Sequence, residues 1–246
     1  MVIKIENLKS FTNGFLSSIS RLSDSCVLAF EKNTASCISS NNDNTVIYYS
    51  NVDQKNNFIS DNLVKLNIPD VKKIIKIFTC IEENNCEFNL ENNNISFKSN
   101  YFKFKYHLLE DGIIIVPKIN INKIFSLNFT TTFKIEKNDL QNILKASTIA
   151  LDISKLYLYS EEAGIFCDFT DNSRHNVDSI AIKVSNSFEG EKISQPVAVN
   201  FEIIRLISAS KSSSLNIKYN NSLGVFLFDL EESGHTGKYV VSALVN

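Results

Sequence analysis

Three histidines, His107, His175 and His235, five cysteines and three acidic pairs, Glu82-Glu83, Glu161-Glu162 and Glu231-Glu232, are the residues of this 246-residue chain that could move protons, attack electrophiles or hold a metal. Their spacing sets up none of these reactions. Paired carboxylates share acid and base work only where burial or a partner separates their pKa values. The three pairs fall at predicted turns or helix ends, which predicts solvated charges. No motif surrounds any histidine. Gly164, Gly234 and Gly237 do not make a phosphate loop, and the serine-rich stretch 208–214 lacks a nucleophile elbow. The cysteines, at 26, 37, 80, 86 and 167, are odd in number, mostly in strand-like surroundings, and without CxxC spacing or a neighbouring histidine. They read as reduced core thiols and not as disulfides or a zinc site. The expectation is a protein with no catalytic residue, no metal and no cofactor.

The remaining chemistry is electrostatic. Lys72, Lys73 and Lys76 project opposite Val71, Ile74, Ile75 and Phe78, because steps of three and four residues stay on one side of a helix. Lys9, Asn13, Ser17 and Arg21 form an i+4 row, and Lys137, Gln141 and Lys145 form another. Arg205 falls opposite Lys76 in a second copy of the pattern, with Glu202 where Lys73 stands. Taken singly, each of these lysines reads as part of a solvated helix face. The formal net charge of −2 excludes a wholly basic surface, so any polyanion contact must be local.

Four helices and a series of strands must position these charges. The spacing predicts helices near Leu8 to Leu22, Pro69 to Thr79, Asn138 to Ile149 and Asn200 to Ser208, with most of the remaining chain in strands such as TVIYYSNV, YFKFKYHL and KLYLYS. The order repeats: each half reads strand, helix, three strands, strand, helix, three strands. Phe88 and Leu90 before Asn92-Asn93 match Leu215 and Ile217 before Asn220-Asn221, and Tyr101 to Leu108 matches Gly237 to Val245. Ordered agreement of this kind predicts an internal duplication. It divides the chain into a domain at 1–108, a connector at 109–128 that starts with the apolar run Ile113 to Val116 and Pro117, and a domain at 129–246. No stretch has the roughly 18 apolar residues of a membrane span, and the N-terminus MVIKIENLKS is not a hydrophobic leader, which predicts a cytoplasmic protein.

The segments FKIEKNDLQNILKAS, KLYLYSEEAGIFCDF, PVAVNFEIIRLI and KYVVSALV resemble the DNA polymerase sliding clamps, or processivity factors, and in particular those of tailed bacteriophages. The resemblance implies an α+β sliding-clamp fold of two duplicated domains, each with two helices packed on antiparallel sheets. It implies a non-enzymatic ring, a head-to-tail homotrimer, that encircles double-stranded DNA without reading sequence and tethers the polymerase after a clamp loader has placed it. It places Lys9, Arg21, Lys72, Lys73, Lys76, Lys137, Lys145 and Arg205 toward the DNA. A partner-peptide pocket would use Ile114, Val116 and Pro117 of the connector, with Tyr239, Val240 and Ala243 as an adjoining wall. Subunits would join through the edge strands Tyr101 to Leu108 and Asn176 to Ser185, with Phe102, Phe104, Tyr106, Val177, Ile180 and Ile182 as contacts. A phage-encoded clamp would work in the host cytoplasm. Composition alone also permits a β-rich structural or interaction module such as a virion component. The basic helix faces repeated at one offset are what that alternative leaves without a reason.

Overall fold

The computed structural model describes residues 1–31, 33–53, 63–149, 153–170, 179–210, 214–232 and 234–244. The chain divides into two compact units, Met1–Ile119 with Glu232–Gly237, and Asn120–Glu231 with Lys238–Asn246.

In the first unit, strand β1 (Val2–Ile5) leads into a continuous helical stretch of α1 (Leu8–Ser10), a π-helical segment (Phe11–Leu16) and α2 (Ser17–Ser20). Strands β2 (Cys26–Glu31), β3 (Thr34–Ser40), β4 (Val46–Asp53) and β5 (Val64–Ile68) follow, then α3 (Val71–Thr79), β6 (Cys86–Glu91), β7 (Asn94–Lys98) and β8 (Lys103–His107). One antiparallel sheet has the order β1-β6-β7-β8, and β4, β3, β2 and β5 adjoin in that order in another. Strict alternation along β3 and β4 turns every second side chain inward, as period-two strands with one covered face require. Helix α3 starts where the Asp70 carboxylate accepts the Lys73 N–H at 2.8 Å. Pro69, expected at the helix start, lies one residue before this cap. Val71, Ile74 and Phe78 are buried, and Phe78 stacks on Phe88 with ring centroids 4.9 Å apart. Each such apolar side chain contributes roughly 1.5–3 kcal/mol on leaving water.

The second unit repeats the plan. Helix α4 (Ile121–Phe125) precedes β9 (Thr131–Glu136), α5 (Lys137–Ser147), β10 (Lys155–Glu161), β11 (Gly164–Phe169), β12 (Ile180–Ser185), β13 (Phe188–Gly190), β14 (Val197–Asn200), α6 (Glu202–Ser208), β15 (Ser214–Asn220), β16 (Val225–Glu232) and β17 (His235–Ser242), which belongs to this unit from Lys238 on. Its sheets run β12-β11-β10-β14 and β13-β9-β15-β16-β17. With β1 matched to β9, β2 to β10 and so on, the orders of the two units agree strand for strand, and β13 is an addition at one edge. Leu140, Ile143 and Ala146 of α5 and Ile203, Ile204 and Ile207 of α6 face the core.

Three sequence expectations change. Helix α4 falls inside the expected connector; at five residues it is too short to show a helical period, and it is fixed by the Asn120 side chain, which accepts the Lys123 N–H at 3.1 Å. Glu231 and Glu232 end strand β16 and do not sit in a turn. Cys80, at the end of α3, is exposed, whereas Cys26, Cys37, Cys86 and Cys167 are buried free thiols. Burial pushes the Cys86 thiol up to about 11 and holds that of Cys167 higher still, so neither supplies a thiolate near neutrality.

Candidate nucleic-acid and peptide-binding surfaces

In each unit the two helical elements pack on one another, α3 against the π segment and α2, and α5 against α6. Their buried stripes leave the cations on the other side. Lys9, Lys73, Lys76, Lys137 and Lys145 are exposed and form no ion pair among the described residues. Lys72 is exposed too, but its ammonium donates to Asp24 Oδ1 at 2.7 Å, a hydrogen bond that raises its pKa. Arg205 lies 2.6 Å from Glu202 and 5.1 Å above the Phe201 ring, so its charge is offset and its plane is held. Arg21 is half-buried. The Glu202 offset is visible in sequence as an i, i+3 pair. Asp24 lies 48 residues from Lys72, and nothing local announces that partner.

The connector leaves β8 tied to β5. Leu109 N–H donates to Asn67 O at 3.0 Å, and Asn67 Nδ2 donates to Leu109 O at 3.2 Å and to Asp111 Oδ1 at 2.7 Å. Beyond this clamp, Ile113, Ile114, Ile115 and Val116 form one wall of a cavity of about 390 Å³, whose other walls come from β2, β3 and Pro69. Among the described residues no charged side chain lines it. Ile115 is 91% exposed and Ile113 58%, far more than a segment buried for its own sake would leave in water. The Ser39 hydroxyl on the β3 wall is buried and has no hydrogen-bond partner among the described residues. Pro117 is half-buried and is not part of this lining.

The expected second wall is corrected. Tyr239 and Val240 are core residues, 2% and 6% exposed, because β17 is covered on both faces over Tyr239, Val240 and Val241. Ala243 is half-buried and bonded through its N–H to Gly224 O at 2.7 Å. A separate cavity of about 410 Å³ in the second unit is lined by the stretch 192–198, Tyr219, Asn221 and Leu244.

Strand β8 ends its sheet in the first unit and β12 ends its sheet in the second; among the described residues neither pairs on its outer side. Phe102, Phe104, Ile180 and Ile182 are half-buried. Tyr106 is instead 5% exposed, its hydroxyl donating to Asp70 O at 2.8 Å and accepting from Asp70 N at 3.1 Å, which makes it a brace for the start of α3 and not an edge contact. Val177 lies outside the described residues. Lys103, Lys105 and His107 on β8, and Lys183 on β12, are exposed, and lysines of this kind keep bare strand edges from pairing indiscriminately. No group of three metal-ligating side chains occurs among the described residues.

Two units of one topology, each with a helix pair laid on antiparallel sheets, define the fold of the DNA sliding clamps. Solved structures with this fold include the sliding clamp of Bacillus subtilis, at 13% identity and a TM-score of 0.76, covering 100% of this chain and 64% of that one. The proliferating cell nuclear antigen of Entamoeba histolytica matches at 11% identity and 0.73, over 99% and 98% of the two chains. That of A. fulgidus, solved with the C-terminal region of FEN-1 bound, matches at 15% and 0.70, over 100% and 98%. No family model and no curated protein sequence matches the chain.

Proposed function

We propose that this chain is a subunit of a sliding clamp, a non-enzymatic ring that encircles double-stranded DNA without reading its sequence and tethers a replicative polymerase. The observation that carries the reading is the exposed lysines Lys9, Lys73, Lys76, Lys137 and Lys145 on the helix pairs of both units of a clamp fold. Duplex DNA presents one negative charge per roughly 1.7 Å of axis, and scattered ammonium groups follow that field without fixing a register. Base readout needs a side-chain fork seated in the major groove, and exposed lysines on helix faces supply attraction without it.

The ring is a homotrimer of the tailed-bacteriophage type, closed head to tail by β8 of one copy on β12 of the next, since a heterologous contact closes only if its rotation divides the circle. Phe102, Phe104, Ile180 and Ile182 flank that joint. The uncharged groove under Ile113 to Val116 takes a short apolar segment of the polymerase or of the clamp loader, as the A. fulgidus protein takes the C-terminal region of FEN-1. If phage-encoded, the protein works in the host cytoplasm. Native mass spectrometry over a range of concentrations tests the assembly. A species of three chains at the highest concentration is expected, and a monomer throughout contradicts it.

A further inference from the structure

The first helical stretch is interrupted by its π segment, and His235 of the same unit packs against it. Ser17 N–H donates to Thr12 O, an i to i−5 bond, and also to Gly14 O. The Ser18 hydroxyl donates to Gly14 O at 2.9 Å, leaving its lone pairs to His235 Nε2 at 3.3 Å. The His235 ring is 6% exposed and packs closely against Gly14: a methyl group there would stand 3.0 Å from Nδ1 and 3.2 Å from Cε1. The neighbouring backbone is fitted as closely. A Cβ on Gly234 would stand 2.6 Å from Ser10 Oγ, one on Gly237 would stand 2.6 Å from the Tyr48 hydroxyl, and Ser50 Oγ donates to Thr236 O at 2.9 Å. Three of the seven glycines thus serve the seating of one short segment.

The π segment changes where the cations point. An α-helix turns about 100° per residue, so Lys9 and Arg21 would stand about 120° apart on an uninterrupted helix. A π turn takes in one extra residue, and subtracting its share leaves about 20° between them. The i+4 row read from sequence drifts around an α-helix; the interruption straightens it.

We propose that His235, seated on Gly14 and Ser18, is a positioning residue that holds the π turn and thereby brings Lys9 and Arg21 to one side of the helix, facing the DNA. This rests on the clamp reading for what the cations meet, and its structural half stands without it. The test compares crystal structures of His235→Ala and His235→Gln, the latter keeping a donor for Ser18, with the salt dependence of binding to a short duplex. In His235→Ala, residues 8–20 are expected to rewind as plain α-helix, and the slope of log affinity against log salt becomes shallower by about one, the loss of one phosphate contact. His235→Gln retains the π turn and the slope. A π turn that persists in His235→Ala overturns the proposal. So does a rewound helix with an unchanged slope while Lys73→Ala still lowers it, a result that leaves the clamp reading intact. A slope that responds to none of Lys9→Ala, Lys73→Ala or His235→Ala overturns the DNA-facing role and the clamp reading together, and the two structures then decide the helix alone.

Discussion

The helix pair of the first unit and that of the second share a plan and differ in charge. Both bury an aliphatic stripe on like sheets, and both carry bases on the opposite side. The first pair presents Lys9, Lys73 and Lys76 without an ion pair among the described residues; the second presents Lys137 and Lys145 of α5 in the same way, but its α6 offers only Arg205, held by Glu202 at 2.6 Å. The buried positions fix the topology, since a polar residue there would cost several kcal/mol without a partner. Exposed positions carry no such constraint, so two copies of one fold can diverge in how strongly they attract a polyanion.

The largest effects should fall on what the units share. Phe88→Ala, which empties the stack against Phe78, should cost about 3–5 kcal/mol, and Leu215→Ala at the matching place in the second unit about 2–5 kcal/mol, both read by urea denaturation. A cost in one unit alone would break the equivalence. Next comes a feature of the second unit only. Gly190, with φ of 89°, brings β13 against β9 so closely that a Cβ would stand 2.0 Å from Thr130 O, and Gly190→Ala should cost more than about 1 kcal/mol. Asp70→Ala should cost about 1 kcal/mol by uncapping α3, measured in the same way.

Charge removals sharpen the contrast. Glu202→Gln frees Arg205 and should steepen the salt slope of duplex binding by about one, whereas Lys73→Ala with Lys76→Ala should flatten it by about two. Equal and opposite changes would mean that the two helix pairs meet the same phosphates. No response to Glu202→Gln would mean that α6 does not reach them. The smallest effect is chemical: iodoacetamide should label Cys80 in the native protein and leave the four buried thiols untouched, as counted by mass.

Much of the fold was legible because its signals are local and repeated. Val71, Ile74 and Phe78 show the helical period, and the turns at Asn92-Asn93 and after Asn220 fall at the same place in each copy. What escaped depends on contacts between distant residues. The π segment has its Gly14 packed on His235, far along the chain, and the partial neutralisation of Lys72 depends on Asp24. Of the candidate site, the exposure of Lys9, Lys73, Lys76, Lys137 and Lys145 and the apolar character of the connector were legible in the sequence. It was misread at Tyr239 and Val240, where a strand covered on both faces breaks the alternation from which exposure is read, and at Tyr106, which keeps the alternation of β8 but is turned inward to bond Asp70.

A ring on DNA is held by topology, and one measurement addresses that directly: retention of the loaded protein on a closed circular duplex, before and after a single cut makes it linear. The clamp account predicts stable retention on the circle and rapid loss through the new ends. Equal retention on the two forms would mean that the protein grips the surface of DNA without surrounding it.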